Sequence, residues 1–216
     1  MKIAVLGTGQ VGRNLATKLV QLDHEVRLGS RTADNSDAVA WKQANGERAS
    51  IGTFADAAAF GEMIFNCTNG QHTLDALKSA GEKNLDGKVL VDVANPLDFS
   101  TGELRLIVSN TDSLGEQVQR AFPKAKVVKA LNTLNTDIQV NPSLLPGDHD
   151  LFVCGNDKDA KAKVTELLKS FGWKTIIDLG DIKSSRGQEA LLLLFMPLAK
   201  AFNGEYFNYR IVRKTR

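Results

Sequence analysis

A strand-like run that leads straight into a glycine-rich turn is the feature that most restricts the fold of this 216-residue chain. The run is KIAVL at residues 2–6, the turn is GTGQVG at residues 7–12, and an amphipathic segment follows. In a G-x-G-x-x-G turn the first glycine permits the sharp bend, the second admits a phosphate close to the backbone, and the third lets helix and strand pack closely. The pattern predicts that the chain opens with the first β-α unit of a dinucleotide-binding fold.

Apolar runs rich in Val and Ile recur along the chain and alternate with amphipathic stretches. They predict strands over residues 2–6, 25–28, 49–51, 63–67, 89–93, 126–131, 151–154 and 174–177, with helices over 10–22, 37–45, 73–80, 113–121 and 158–170. Such alternation is typical of an α/β protein with a doubly wound, mostly parallel sheet, the Rossmann fold. The long connection between Asn95 and Asp112 has little pattern, and we expect it to be functional.

After Asp181 the alternation of strand-like and helix-like segments gives way to one long apolar stretch. We expect a dinucleotide-binding Rossmann domain over residues 1–181 and a C-terminal helical appendage over 182–216, with one long apolar helix from Gln188 to Asn203. This helix carries more apolar side chains than one domain face needs: Phe195, Met196, Leu198 and Phe202. Either some of them pack against a second subunit, or the helix is sandwiched inside one chain.

The end of the second predicted strand reads GSRT at residues 29–32. An NAD site has an acidic residue at this position to accept a hydrogen bond from the ribose 2′-hydroxyl, and a 2′-phosphate would be repelled by it. Here Ser30 and Thr32 offer hydroxyls, and Arg31 can pair with a phosphate and stack on adenine. The sequence therefore predicts NADP rather than NAD, with Asp34 as a helix cap rather than a ribose ligand.

Amides and hydroxyls follow three further strands, in the segments NCTNGQH (66–72), VANP (93–96) and ALNT (130–133). They could hold a carboxamide, ribose or pyrophosphate, or they could only cap the turns that follow. His72 is a candidate cofactor contact or acid, with a loop histidine bonded to backbone as the alternative. No proton-donating pair is evident, which suits hydride transfer between a nicotinamide and a flavin-like ring, because that step needs alignment more than an acid.

Other reactive residue types give weaker signals. Three scattered histidines and two distant cysteines have no metal-ligand spacing, so no metal is predicted. We expect Cys67 and Cys154 to be plain buried thiols. Lys129 could face the cleft, but a single lysine on a strand is usually exposed, and we expect that here.

The overall charge limits the partners that we expect. The net charge is +2, from 27 basic and 25 acidic residues, which gives no reason to expect a nucleic-acid partner. The basic residues near the C-terminus, Arg210, Arg213, Lys214 and Arg216, are expected to form a solvated tail. The apolar run Leu191–Leu198 is too short to span a bilayer, so no membrane partner is expected. Two cysteines and a start that lacks a secretory leader favour a cytoplasmic location.

Several of these segments resemble one family over nearly the whole chain: the GTGQVG turn, Gly29-Ser30-Arg31, His72 after the fourth strand, VKALNT (128–133), VCGND (153–157) and FNG (202–204). The family is that of the NADPH-dependent reductases of the deazaflavin coenzyme found in methanogens and actinobacteria. A similar module forms the cytosolic part of membrane ferric reductases, which implies that the fold can pass hydride to flavins as well.

The resemblance implies roles for particular residues. It assigns the pyrophosphate to Thr8, Gly9, Gln10 and Val11 within the Gly7–Gly12 turn, the 2′-phosphate to Ser30 and Arg31, and the ribose and nicotinamide to Thr68, Asn69, His72, Ala94, Asn95, Leu131 and Asn132. In the family the acceptor stacks on the nicotinamide under the C-terminal helix, and subunits pair through that helix. Archaeal members carry a proline and an aromatic residue where this chain has Asn69-Gly70.

Three functional hypotheses follow. The first is an NADPH-dependent oxidoreductase that passes hydride to a deazaflavin or flavin acceptor. The second is a reductase of a small carbonyl or imine, for which His72 is the one candidate proton donor. The third is a redox sensor that binds NADPH without turning it over.

Overall fold

The computed structural model describes residues 1–214, so Thr215 and the predicted tail residue Arg216 lie outside the described part. The central sheet contains β1 (Lys2–Leu6), β2 (Glu25–Ser30), β3 (Ala49–Thr53), β4 (Met63–Asn66), β5 (Val89–Asp92), β8 (Lys126–Ala130), β9 (Asp150–Gly155) and β10 (Thr175–Asp178). A separate hairpin contains β6 (Leu97–Asp98) and β7 (Arg105–Leu106). The eight predicted strands are those of the central sheet.

The strand order is β10-β9-β8-β5-β4-β1-β2-β3, and every neighbouring pair is parallel except β8 with β9. The order reverses beside β1, which lies between β2 and β4. Ligands of open α/β sheets bind at such a switch point, outside the carboxyl ends of the strands. The predicted doubly wound, mostly parallel fold is confirmed, and its switch point lies at the glycine turn after β1.

Helices cover both faces of the sheet. They are α1 (Gln10–Gln21), α2 (Ser36–Asn45), α3 (Phe54–Phe60), α4 (Thr73–Ala80), α5 (Glu82–Leu85), α6 (Leu114–Ala121), α7 (Thr136–Val140), α8 (Lys158–Ser170), α9 (Ser185–Ala190) and α10 (Leu192–Ala201). Alternate residues of β1 enter two separate cores, since Ile3 and Val5 belong to one and Ala4 and Leu6 to the other. A parallel strand buried on both faces reads as an unbroken apolar run, which is why the strands were readable from sequence.

The predicted single helix from Gln188 to Asn203 is wrong in detail. The chain forms α9 and α10 with a turn at Leu191 between them, and Pro197 lies inside α10, where it removes a backbone donor. Phe195 is buried and packs against Phe207, with ring centroids 4.8 Å apart. The other side of α10 is exposed, so a helix wholly sandwiched inside one chain is also wrong. None of the helices within residues 1–214 is long and apolar enough to cross a membrane.

Candidate cofactor site

Two of the three glycines in the turn after β1 are required by the backbone around them. Gly7 has φ +113°, and a Cβ there would lie 2.6 Å from the carbonyl oxygen of Cys67. A Cβ on Gly12 would lie 1.9 Å from the carbonyl oxygen of Gly7, so only glycine lets α1 pack this closely against the turn. A Cβ on Gly9, in contrast, would meet no atom within 4 Å. The space above Gly9 is open, as expected of a backbone that receives a ligand.

The N-terminus of α1 has no side-chain cap. Gly9 is the N-cap residue, and the first turn contains no acidic residue. Backbone amides of such a turn lack intrahelical partners, and the helix dipole favours an anion beside them. Arg13 lies in the next turn of the helix, where its guanidinium donates to the carbonyl of Thr8 at 2.6 Å. The end of α1 that follows GTGQVG is therefore suited to a pyrophosphate.

The end of β2 places Arg31 beside this turn. Ser30 is buried and its hydroxyl donates to the carbonyl of Thr32, whereas the Arg31 side chain is exposed. Within residues 1–214 the Arg31 guanidinium has no hydrogen bond or ion pair, so it is available to a ligand. The predicted cap at Asp34 is wrong, because Asn35 caps α2 by accepting from the Ala38 amide at 3.1 Å.

Two adjoining cavities run along the carboxyl edge of the sheet. The first, of about 610 Å³, is lined by Ser30, Arg31 and His72 among others; we call it the first lobe. The second, of about 620 Å³, lies against Ala94, Asn95 and the β6–β7 hairpin; we call it the second lobe. The lobes share Gly9, Cys67, Thr68 and Asn69 as lining residues. The cleft thus has two compartments that meet over the glycine turn.

Hydrogen bonds after β4 fix the residues at this junction. The Thr68 hydroxyl donates to the side-chain oxygen of Asn66 at 2.7 Å, and the Asn66 amide donates to Asp92 at 2.8 Å. The Asn69 side chain accepts from the Gln71 amide at 2.9 Å and so caps a 3₁₀ turn at residues 70–72. The sequence left open whether Asn69 binds a ligand or caps a turn, and the structure shows that it caps a turn.

The predicted residues after β5 and β8 come together through their amide side chains. The side-chain amide of Asn95 donates to the backbone carbonyl of Asn132 at 2.7 Å. The side-chain amide of Asn132 donates to the side-chain oxygen of Asn95 at 3.0 Å. Leu131 is buried with φ +64°, a left-handed conformation that is rare for leucine and typical of functional turns. Ala94 and Asn95 line the second lobe, whereas Leu131 and Asn132 line neither lobe and support that wall from behind.

His72 lies in the first lobe with Ser30 and Arg31, and it does not line the second lobe. Within residues 1–214 it makes no side-chain hydrogen bond. The resemblance places His72 together with Ala94 and Asn95 around the ribose and nicotinamide. In the structure these residues line adjoining lobes, His72 the first and Ala94 and Asn95 the second.

The prediction of an exposed Lys129 is wrong. Its side chain is fully buried, and Nζ lies 2.9 Å from carboxylate oxygens of both Asp92 and Glu189. In a strand covered on both faces, a lysine must point into one of the cores, where it needs charged or polar partners. Sequence reasoning also missed Asp92 and Glu189, whose partners lie far away along the chain.

Both cysteines are free thiols; Cys154 is buried as predicted, whereas Cys67 is only half-buried, so the prediction of a buried thiol is wrong for Cys67. Burial raises the pKa of Cys154 to about 12, and its Sγ lies 2.9 Å from the side-chain oxygen of Gln188. Burial, and then the negative charge of Asp92, raises the pKa of Cys67, which lines both lobes. Neither thiol is a thiolate near neutral pH, so neither has the character of a nucleophile.

Comparisons with known proteins point in one direction. Residues 2–96 match the family model described as "NADP oxidoreductase coenzyme F420-dependent". The chain is 31% identical over 221 residues to an F420-dependent NADP reductase of Methanocaldococcus jannaschii, and the match covers 98% of each chain. It is 31% identical to the metalloreductase STEAP3 of Rattus norvegicus, across 91% of this chain and 37% of that protein. A crystal structure from Arthrobacter sp. FB24, described as a candidate F420-dependent NADP reductase, is 49% identical with a TM-score of 0.94, covering 99% of this chain and 100% of its own.

Proposed function

The chain belongs to the family of coenzyme F420-dependent NADP oxidoreductases, and from this we propose that it transfers hydride between NADP(H) and a deazaflavin of the F420 type. The observation that carries the proposal is the two-lobed cleft over the uncapped start of α1, with Arg31 in one lobe. The open space above Gly9 fits a dinucleotide whose pyrophosphate crosses from one lobe to the other. NADP(H), when bound, supplies or takes up the hydride.

We assign the adenosine half of the cofactor to the first lobe. Arg31 would pair with the 2′-phosphate, and Ser30 would orient the turn that carries it, since the Ser30 hydroxyl is bonded to the Thr32 carbonyl. His72 shares this lobe, so we propose that it contacts the adenosine half. The amides that follow Thr8, at Gly9, Gln10 and Val11, would hold the pyrophosphate.

The nicotinamide half then occupies the second lobe, between Thr68 and Asn69 on one side and Ala94 and Asn95 on the other. The titratable residues that line this lobe are Cys67 and Asp98. Hydrogen bonds from Ser100 hold the pKa of Asp98 below its usual value, so its carboxyl is ionised at neutral pH. A raised thiol pKa likewise makes Cys67 a poor proton donor. This chemistry favours a ring acceptor that takes up hydride by alignment over a carbonyl that needs an acid.

The direct test is NADPH oxidation at 340 nm by the purified protein. The acceptors are the deazaflavin coenzyme, then riboflavin, FMN and FAD, then a ferric chelate, each repeated with NADH. We expect turnover with the deazaflavin and a strong preference for NADPH. Turnover with flavins but not with the deazaflavin would identify a flavin as the acceptor. Tight NADPH binding without turnover with any acceptor would favour the hypothesis of a redox sensor.

We also propose that two copies pair through α10. Its exposed side carries Leu193, Leu194 and Met196, and Phe202 follows directly after the helix. These side chains are 42% to 62% exposed, and an apolar surface of this kind is typical of an interaction site.

We further propose a cytoplasmic location, where NADPH is available and thiols such as Cys67 and Cys154 stay reduced.

A further inference from the structure

A buried cluster of charges lies directly behind the wall of the second lobe. It consists of Asp92 at the end of β5, Lys129 in β8 and Glu189 in α9, and we call it the Lys129 cluster. The side chains of Asp92 and Lys129 are fully buried and that of Glu189 is 2% exposed. The Lys129 ammonium donates to Asp92 at 2.9 Å and to the carbonyl of Ala94 at 2.5 Å, and it lies 2.9 Å from Glu189. Its three protons therefore have three partners.

Each carboxylate of the Lys129 cluster is also held by neutral donors. Asp92 accepts from the Asn66 side chain at 2.8 Å, and Glu189 accepts from the backbone amides of Leu114 and Gly115 at 2.9 and 3.0 Å. Those two amides belong to the first turn of α6, where a carboxylate is favoured. The cluster thus ties together the ends of β4 and β5, the start of α6, and α9.

Stability alone gives little reason for such a cluster. Removing charges from water offsets most of the attraction between them, and well-packed apolar side chains serve a protein interior about as well. What the charges provide is defined geometry, because each hydrogen bond fixes the direction of its partner. The question is which atoms need to be fixed at this place.

The backbone of Ala94 is held by the Lys129 cluster at both its amide and its carbonyl, so the peptide groups on either side of this residue are fixed. Its amide donates to Asp92 at 3.3 Å, and its carbonyl accepts from Lys129. Asn95, the next residue, pairs with Asn132, whose side chain also donates to the carbonyl of Gln188 at 3.2 Å. Ala94 and Asn95 line the second lobe, so the cluster fixes the backbone of that wall and joins it to α9.

We propose that Lys129 is a positioning residue for hydride transfer: through Asp92, Glu189 and the Ala94 carbonyl it holds the wall against which the nicotinamide lies. The inference rests on the proposed function, since it requires the nicotinamide in the second lobe. Lys129 lines neither lobe, and its effect would reach the ring through Ala94 and Asn95, which line the second lobe. Because hydride transfer depends on alignment, a loosened wall slows the step while the first lobe still binds NADPH.

The chain offers a matched control at Lys161 in α8. This lysine is also largely buried, and its Nζ donates to the Asp178 carboxylate at 2.8 Å and to the Gly180 carbonyl at 2.9 Å, away from the residues that line either lobe. Lys129→Met and Lys161→Met therefore remove the same kind of group. Glu189→Gln is a milder variant, because Lys129 keeps Asp92 and the glutamine oxygen still accepts from an α6 amide.

Three quantities are measured for each variant: the NADPH dissociation constant, the emission and anisotropy of bound NADPH, and the single-turnover rate of hydride transfer from saturating NADPH to the acceptor that the wild type reduces. For Lys129→Met we expect the dissociation constant within about threefold of wild type, a changed nicotinamide emission, and a rate lower by about tenfold or more, as expected when reacting groups lose alignment. Glu189→Gln should shift emission and rate in the same direction by a smaller factor. Lys161→Met should leave all three unchanged.

The outcomes separate the two proposals. If the wild type oxidises NADPH with none of the acceptors, the proposed function fails, whether or not NADPH binds. If the wild type is active but folded Glu189→Gln and Lys129→Met match it in emission and rate, the Lys129 cluster is only structural and the inference is wrong. If Lys129→Met does not fold, the emission and rate of Glu189→Gln alone test the positioning role. Thermal unfolding of Glu189→Gln then checks that this variant is folded.

Discussion

Arg31 is the residue on which the choice between NADPH and NADH depends. Its guanidinium is exposed in the first lobe, where a 2′-phosphate could accept charge-assisted hydrogen bonds from it. We expect Arg31→Ala to remove about 1.5–3 kcal/mol of NADPH binding, a loss of tenfold or more. Affinity for NADH, which has no 2′-phosphate, should hardly change.

Isothermal titration with both nucleotides measures this difference. Arg48→Ala is a suitable control, because Arg48 is an exposed arginine that pairs with Asp23 and lines neither lobe. An equal loss of affinity for NADPH and NADH in Arg31→Ala would contradict the assignment of the 2′-phosphate to the end of β2.

The β1–α1 element allows its folding and binding roles to be separated by two substitutions of the same size. A Cβ on Gly12 collides with the carbonyl of Gly7, so Gly12→Ala should destabilise the protein by roughly 1–3 kcal/mol or more. A Cβ on Gly9 meets open space, so Gly9→Ala should cost only the roughly 1 kcal/mol or less of alanine at an N-cap while blocking the approach of the pyrophosphate.

Thermal unfolding and NADPH titration of both variants provide the measurements. The expected pattern is that Gly9→Ala is stable and binds NADPH poorly, whereas Gly12→Ala is unstable even without the nucleotide. A Gly9→Ala variant that binds NADPH as tightly as the wild type would mean that the cofactor does not cross this turn.

Helix α6, whose first-turn amides donate to the Glu189 carboxylate, carries an ion pair that makes the stability of the protein depend on pH. Arg120 makes two hydrogen bonds to Asp112, at 2.9 and 2.7 Å, and they hold the pKa of Asp112 at about 2. A carboxyl whose pKa is lower in the folded state contributes stability above its unfolded value, and this is lost as pH falls from about 4 through about 2. Because the Arg120 side chain is 60% exposed, we expect about 1 kcal/mol or less.

Unfolding of wild type and Asp112→Asn between pH 2 and pH 7 checks this contribution. The variant should be less stable at pH 6, and its stability should fall less steeply below pH 4. Arg120→Gln should show the same loss at pH 6, since it removes the same pair. An Asp112→Asn variant as acid-sensitive as the wild type would assign the acid response to other carboxylates.

Across the whole molecule, the parts that could be predicted from sequence are those encoded by neighbouring residues. The central strands follow from continuous apolar runs and the outer ones from shorter runs, and the family is confirmed by a relative matched over 98% of its length. The short helices α3, α5 and α7 and the two-residue strands of the β6–β7 hairpin have too few residues for a periodic pattern. For α3 a signal existed, because Thr53 and Asp56 form a capping box.

The two lobes of the candidate site also differ in how far they could be predicted from neighbouring residues. The first lobe is lined in part by two local motifs, through Gly7, Thr8, Gly9, Ser30 and Arg31, and these residues were predicted from sequence. Its remaining lining includes residues that the sequence did not indicate: Asn35, Phe54, Asp75, Ala76 and Ser79. The wall of the second lobe depends on contacts between Asp92, Lys129 and Glu189, which lie far apart in the chain. A lysine within VVKAL gives no indication of its partners, because the tertiary fold alone brings the two carboxylates to it.

The exposed side of α10 sets the assembly that we expect for the whole molecule. Leu193 and Leu194 are both 48% exposed, and water contact with these side chains is avoided if a second copy covers them. We expect light scattering after size exclusion to give twice the 23.5-kDa chain mass for the wild type and the single chain mass for Leu194→Asp. Leu144→Asp is the matched control, since Leu144 is 47% exposed outside α10 and should stay dimeric when changed. A wild type that elutes as a monomer at every concentration would contradict pairing through α10.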